Sequence, residues 1–269
     1  MARLTQVHSV PVRSQSGPCE TISGLPHPRL RPYVLGYAGF RSATGAPVRH
    51  RVLPLNVTTL IVDFAGPGGV VSGPRSTSTV SGRTWWGHGV SIGLTPAGVL
   101  ALLGVPMPEL AEGSGRLADF LGRRDAELTE RLGDAPDWAG RFAVLDDRLA
   151  AWSATDRRQD GPVGAAWWRL QHPGRRLRIG ALAEELGVSR RYLELGFRRQ
   201  IGLSPATVAR IARFQRAVHL LGHGSGLPRT AVESGYADQP HFNREVRAMA
   251  GVTPTELCAF LQYLRSAPG

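Results

Sequence analysis

Lysine is absent from the 269 residues, and all 32 basic side chains are arginine. A complete swap of this kind suggests a GC-rich genome, and it lifts the isoelectric point, about 11.1, along with the net charge of +11. Cysteine is almost as scarce. Cys19 and Cys258 stand far apart with no metal-ligand spacing around them, which argues against a disulfide scaffold or a zinc ribbon and reads as two unpaired cytosolic thiols. No segment approaches the roughly 20 uninterrupted apolar residues of a membrane span, and residues 1–20 hold no signal-peptide run. The expectation is a soluble, cytoplasmic protein that makes no membrane contact. A glycine-rich phosphate loop, a nucleophile elbow and carboxylates paired at a working spacing are also missing. His27, His50 and His88 are scattered, without the paired spacing a metal site on a strand would need. Neither a metal, a cofactor nor a catalytic residue is expected.

What is present is concentrated in the C-terminal part. From Pro162 onward 15 Arg face 7 Asp and Glu, so +8 of the net +11 lies there. Codon bias explains arginine in place of lysine but not this concentration, which is the footprint of phosphate binding. The same region holds one template written twice. Its first copy runs Ala183, Gly187, Leu193, Phe197 and Gly202-Leu203-Ser204-Pro205, its second Ala231, Gly235, Phe242, Val246 and Gly251-Val252-Thr253-Pro254. The offset is 48 residues at the Ala and Gly and 49 from Leu193/Phe242 onward, so the second turn carries one extra residue. A small Ala lets helices approach, and a Gly four residues later ends the helix at positive φ. The amphipathic helix after it then packs by its apolar stripe. That pattern is a helix-turn-helix, and two on one chain imply a DNA reader.

Along the chain, residues 1–20 are polar and without period, which predicts a flexible arm. Residues 21–155 read as an α+β domain. Strands are expected at Tyr33–Phe40, Thr58–Phe64 and Gly82–Leu94, with turns at Gly66-Pro67-Gly68-Gly69 and Gly73-Pro74. Helices follow at Ala97–Leu103, Leu117–Arg131 and Asp137–Ala154. Residues 156–161 read as a linker, and 162–262 as an all-α domain. In it, Pro162–His172 closes at Pro173-Gly174, and Ile179–Leu186 with Ser189–Arg199 forms the first unit. A long helix follows from Ser204-Pro205 to Leu221, then Pro228–Ser234 with Gln239–Met249 as the second unit. A capping box, Thr253-Pro254-Thr255-Glu256, opens the last helix.

Taken together, Ile179-x2-Leu182-Ala183-x3-Gly187-x-Ser189-x3-Leu193-x3-Phe197, Gly202-Leu203-Ser204-Pro205, Arg210-x3-Phe214-x2-Ala217-x2-Leu220-Leu221, Gly235-Tyr236-Ala237-Asp238-Gln239-Pro240-His241-Phe242-Asn243-Arg244 and Gly251-Val252-Thr253-Pro254 resemble the DNA-binding domain of the AraC/XylS family of bacterial transcription regulators. The resemblance implies two helix-turn-helix units joined by one long helix, set for adjacent major grooves of double-stranded DNA about one helical turn apart. On it, the first recognition helix would present Arg190, Arg191, Glu194 and Arg198, and the second Gln239, Pro240, His241, Asn243 and Arg244. Arg199, Arg210 and Arg213 would meet phosphates. Leu195-Gly196 stands where relatives commonly carry Arg or another polar residue. Thr230 and Val246 replace an aliphatic residue and a Phe, so the second unit is expected to pack less tightly.

The N-terminal half is similar to the sensor domain of a subset of these regulators, through Arg49-x-Arg51-Val52-Leu53-Pro54, Gly93-Leu94-Thr95-Pro96-x-Gly98 and Leu103-Gly104-Val105-Pro106. This implies a small β-barrel-like domain followed by helices between Pro96 and Ala154 that offer a dimer surface. Tyr33, Tyr37, Phe64, Trp85, Trp86 and His88 are candidates to line a pocket for a small-molecule effector. The implied function is a sequence-specific transcription regulator of the one-component type, with RNA polymerase and a second copy of the chain as further partners. Two rivals remain at this point: a cupin-like enzyme domain tethered to a DNA reader, and an architectural DNA binder that needs no effector.

Overall fold

The computed structural model describes residues 6–12, 19–43, 48–64, 66, 68–80, 85–153, 161–171 and 178–263. The N-terminal half holds β1 (Ser9–Pro11), β2 (Cys19–Gly24), β3 (Val34–Ser42), β4 (Val48–Val52), β5 (Thr58–Asp63), β6 (Val70–Ser72), β7 (Trp85–Trp86), β8 (His88–Leu94) and, after one helix, β9 (Ser114–Arg116). They build two sheets, ordered β1-β4-β7 and β2-β3-β8-β5-β6-β9. The faces of the two sheets meet over Phe40, Val52, Ile61 and Trp86. The result is barrel-like but open, since β2 and β9 remain the edges of the larger sheet. Residues 9–11 were expected in a loose arm. Instead Ser9 pairs with Val52 and Pro11 with His50, because Val10 is an apolar anchor with no exposed surface. Cys19 and Glu20 likewise open β2 rather than end an arm.

Helices α1 (Pro96–Leu103), α2 (Ala118–Leu121), α3 (Arg123–Asp134) and α4 (Trp138–Trp152) follow the strands. Thr95 caps α1 by accepting from the Gly98 amide at 2.9 Å, as its hydroxyl before Pro96 leads one to expect. The single helix expected over 117–131 is broken at Gly122, where φ is 58°. Helix α4 lies on the outer face of the larger sheet, and that face is cut away to receive it. A Cβ on Gly39 would stand 2.3 Å from Trp138, and one on Gly24 2.6 Å from Phe142.

The C-terminal half is helical: α5 (Pro162–Gln171), α6 (Ile179–Glu185), α7 (Arg190–Gln200), α8 (Pro205–Gly222), α9 (Leu227–Glu233), α10 (Gln239–Ala250) and α11 (Pro254–Tyr263). The linker at 156–161, apart from Gly161, and the helix end at Pro173-Gly174 lie outside the described residues. Phe242 takes the place of Leu193 in the second repeat and Val246 that of Phe197, and both Phe side chains are fully buried. Truncating such a side chain costs about 3–5 kcal/mol. Thr230 and Val246, expected to loosen the second unit, are also fully buried, and the Thr230 hydroxyl donates to the Ser225 carbonyl at 3.4 Å. The capping box closes as expected, with Thr253 N donating to Glu256 at 2.7 Å and Glu256 N to Thr253 Oγ1 at 3.2 Å.

The two halves are sewn together along α8. The buried Gln215 side chain accepts from Val7 N (2.8 Å) and donates to Val7 O (3.1 Å) and Pro54 O (2.8 Å). Asn56 donates to Val208 O at 3.2 Å, and its own carbonyl receives Trp167 Nε1 at 3.3 Å. A turn at Gly202, φ 84°, lets Pro108 and Ala111 rest on the backbone between α7 and α8. One hydrophobic cluster runs through both halves. Among the described residues no helix is long and apolar enough to cross a membrane.

Candidate nucleic-acid interface and effector cavity

The first unit is α6, a turn at Gly187 (φ 66°) and α7. Ser189 caps α7 by accepting from the Tyr192 amide at 3.1 Å, so the start of the helix is fixed and its first side chains project freely. Leu193 and Phe197 are buried, while Arg190, Arg191, Arg198 and Arg199 are exposed. Glu194 is half-buried beside Arg190, 3.7 Å away. The outward stripe also carries Tyr192 and Leu195, 48% and 43% exposed, which charge and hydrogen-bonding patterns in the sequence did not single out. The unexpected glycine beside Leu195 has a packing cause. A Cβ on Gly196 would lie 2.3 Å from Val163 Cγ2, so glycine lets α5 press against α7.

The second unit is α9, a turn at Gly235 (φ 81°) and α10, capped by Asp238, which accepts from His241 N at 2.6 Å. Pro240 and Arg244 are exposed, whereas Gln239, His241 and Asn243 are half-buried. His241 stands edge-on to Tyr236, with ring centres 5.4 Å apart. Asn243 Oδ1 is buried without a hydrogen-bond partner. Arg247, one turn beyond Arg244, is exposed on the same side and extends the basic stripe.

Two of the three arginines expected at phosphates, both half-buried, are engaged by the second unit. Arg210 Nε donates to Glu245 of α10 at 2.8 Å, and Arg213 lies over the Tyr236 ring, 5.1 Å from its centre. Both belong to α8, and both grip the second unit. Burial pushes the Tyr236 phenol up to about 12, with the Arg213 charge opposing. At the far end of α10, Ser78 Oγ and Arg51 Nη1 donate to the Ala250 carbonyl at 2.8 and 3.2 Å, and Ser78 N donates to Met249 O at 2.8 Å. Two orphan carbonyls at a helix C-terminus are thus satisfied from the N-terminal half, one of them by a cation.

Of the six side chains expected in one pocket, the five that are described do not gather in one cavity. Phe64 and His88 pack on α4, where His88 lies 5.8 Å from Trp138 and 4.8 Å from Phe64. Tyr37 donates to Asp146 of α4 at 2.8 Å and borders a small space of about 100 Å³. Tyr33 lines another, beside Trp167 and Trp168. The Trp85 side chain lies outside the described residues. Of the five, Trp86 faces the space between the sheets. There a cavity of about 290 Å³ is bounded by His8, His50, Trp86, Cys19, Thr21, Phe40 and Ile61, and is closed by Val218, His219, His223 and Leu261 of α8 and α11. Strand alternation accounts for the split: Phe40 and Ile61 share the inner face, whereas residues 62, 64, 88 and 90 fall on the opposite one. Among the described residues no three His, Cys, Asp or Glu side chains are grouped as metal ligands.

Tandem recognition helices on one rigid connector define the class, a two-unit helix-turn-helix DNA-binding protein. Residues 182–259 match a family model described as a helix-turn-helix domain. A protein described as a probable AraC family transcriptional regulator, from Rhodopseudomonas palustris CGA009, is 30% identical over 40% of this chain and 98% of its own, with a TM-score of 0.34. A transcriptional regulator with an AraC-type DNA-binding domain from Chromobacterium violaceum is 28% identical over 40% of this chain and 91% of its own, with a TM-score of 0.33. The chain belongs to the AraC family of DNA-binding transcription regulators. ToxT from Vibrio cholerae O395, bound to (E)-4-(8-methylnaphthalen-1-yl)but-3-enoic acid, matches the fold across both halves, at 12% identity, with a TM-score of 0.50 over 91% of this chain and 98% of its own. Among the curated proteins none matches.

Proposed function

We propose that this regulator reads an asymmetric DNA site through α7 and α10, and that a small molecule in the inter-sheet cavity sets how well it does so. The observation that carries the second half is where the cavity ends: its wall passes from the sheets onto Val218, His219 and Gly222 of α8. The helix that joins both recognition units therefore forms part of the binding site. ToxT, of like fold, holds a small organic acid, which supports an effector role for this half. Base reading falls to Arg191 and Arg198 of α7 and to Gln239 and Arg244 of α10, because Arg forks onto guanine and Gln pairs with adenine. Arg190, Glu194, Pro240, His241 and Asn243 flank them, and Arg199 meets phosphate. On this reading the protein works in the cytoplasm without catalysing a reaction, beside RNA polymerase, and dimerises through α1 to α4.

Selection of bound DNA from a random pool tests the first half, and a site with two read segments about one helical turn apart is the expected result. A low ratio of specific to non-specific affinity would leave only an architectural binder. Ala38→Phe tests the second half, since Ala38 lines the cavity and the larger ring would fill it. DNA affinity should then change at least severalfold. An unaltered affinity in a folded variant rules out control through the cavity.

A further inference from the structure

The cavity walls specify the chemistry of their guest, an inference that rests on the effector role proposed above. Among the described residues that line it there is no Arg, Asp or Glu. The rings within it are Phe40, Trp86, His8 and His50, with Trp86 5.5 Å from His8 and 5.3 Å from His50. His50 Nδ1 lies 2.8 Å from the Val48 carbonyl. A carbonyl only accepts, so Nδ1 carries the proton and Nε2 is left with a lone pair. His8 Nε2 is buried and has no partner at all. Burial pushes His8 down to about 3, helped by the charges of Arg75 and His50, and pushes His50 down to about 4 against the Val48 hydrogen bond. Neither imidazole is a cation at neutral pH.

An anion entering this space would lose its water and meet no cationic side chain among the described lining residues, and a cation would meet no carboxylate there. Arg75, a buried cation whose charge reaches His8, does not line the cavity. It donates to the Gly113 carbonyl at 2.8 Å, and the Glu112 charge supports it. At the mouth, His219 and His223 stack 4.1 Å apart, and His223 Nδ1 is spent on the His219 carbonyl. At roughly 30 Å³ per water, a cavity of about 290 Å³ has room for a molecule of about ten non-hydrogen atoms.

We infer that the cavity takes an uncharged, mainly apolar molecule with a flat ring that lies against Trp86 and a single O–H or N–H group that donates to the histidines. Naphthalene, 2-naphthol, 2-naphthoate and 2-naphthylmethylammonium, added to the full chain at pH 7.5 and followed by melting temperature and tryptophan fluorescence, test it. The first lacks the donor, and the last two keep the ring but add a charge. 2-Naphthol should raise the melting temperature with dose. Naphthalene should bind about tenfold more weakly, the worth of one neutral hydrogen bond, and the two ions should produce no shift. His8→Leu should erase the preference for naphthol over naphthalene while naphthalene still binds. A naphthoate shift as large as that of naphthol overturns the ligand class but leaves the effector reading standing. Absence of any naphthol shift overturns the ligand class too, and the effector reading falls with it only if Ala38→Phe also leaves DNA affinity unaltered.

Discussion

Arg210 decides between two pictures of the connector helix. Taken as a phosphate contact, it would be a free cation on the DNA side. In the structure its Nε is 2.8 Å from Glu245 Oε2, with the Arg and Glu side chains 38% and 18% exposed. Two unit charges about 4 Å apart attract by about 4 kcal/mol at an effective dielectric constant near 20. Desolvation and the ordering of two long side chains remove most of that, and exposed pairs retain only about 0.2–1 kcal/mol. Arg210 is more than one-third exposed, so solvent screening applies, and the expected coupling is about 1 kcal/mol, at the top of that range. A double-mutant cycle of Arg210→Ala, Glu245→Ala and the double variant, read by urea denaturation at low and high salt, measures it. The coupling should shrink with salt. Each single variant should weaken specific DNA binding, because both loosen α10 on α8, and neither should change the salt dependence. If Arg210→Ala instead lowers the salt slope by about one unit while Glu245→Ala tightens binding, the pair is incidental and Arg210 is a phosphate contact.

Changing Arg191 or Gln239 to Ala should cost about 1–3 kcal/mol on the specific site and relax preference at one or two base pairs, read by titration against single-base variants of the selected site. Gly196→Ala gains helix propensity of about 1 kcal/mol but drives a methyl into Val163, so thermal denaturation should show a net loss of about 1–3 kcal/mol, restored by Val163→Ala. Gln215→Leu should destabilise the full chain by several kcal/mol, because it strands Val7 N, Val7 O and Pro54 O at about 1–3 kcal/mol per buried group; a change under about 0.5 kcal/mol would mean that the halves do not depend on this contact. His8 and His50 are both depressed below the ordinary value of 6.5, so the unfolded chain takes up their protons first as pH falls. Their contribution is intact above pH 6.5 and should fall by about 2 kcal/mol per histidine between pH 7 and pH 5, and a stability flat over that range in urea denaturation, or in His50→Phe a slope equal to the parent's, would refute it.

The C-terminal half was legible because its signals are local. Capping residues Ser204 and Thr253 bond the amides expected of them, and Gly187, Gly235 and Gly251 take positive φ where a helix had to end. What the sequence hid depends on partners distant along the chain. Nothing near Gly196 announces Val163, 33 residues earlier, and nothing near Arg210 announces Glu245. The N-terminal half misled for a different reason. Aromatic side chains were grouped by type, whereas a strand sorts them by parity, so His88 and Phe64 went to α4 and Trp86 to the cavity. Thr21, paired with Phe40, could have been found by parity, and so could His50, which shares a face with Val52, but His8 precedes β1 on the opposite parity and could not.

The short strand β1 and the residues leading into it tie these parts into one device. His8, just before β1, reaches into the cavity, and Val7, its neighbour, is held by Gln215 of α8 through both backbone groups. A guest that pulls on His8 therefore pulls on a segment bonded to the middle of the connector helix. The same helix holds α10 through Arg210, on Glu245, and the turn before α10 through Arg213, on Tyr236, while Arg51 and Ser78 hold the far end of α10 from the N-terminal half. The second recognition helix is thus held at its middle by the helix that lines the cavity and at its C-terminal end by the N-terminal half. The first is held by α5 at Gly196 and by the turn at Gly202 under Pro108 and Ala111. Because side chains of the cavity-lining α8 bond the second unit directly, the proposed guest should act chiefly on the α10 half-site: its effect on DNA affinity should be lost when bases under α10 are scrambled and kept when those under α7 are.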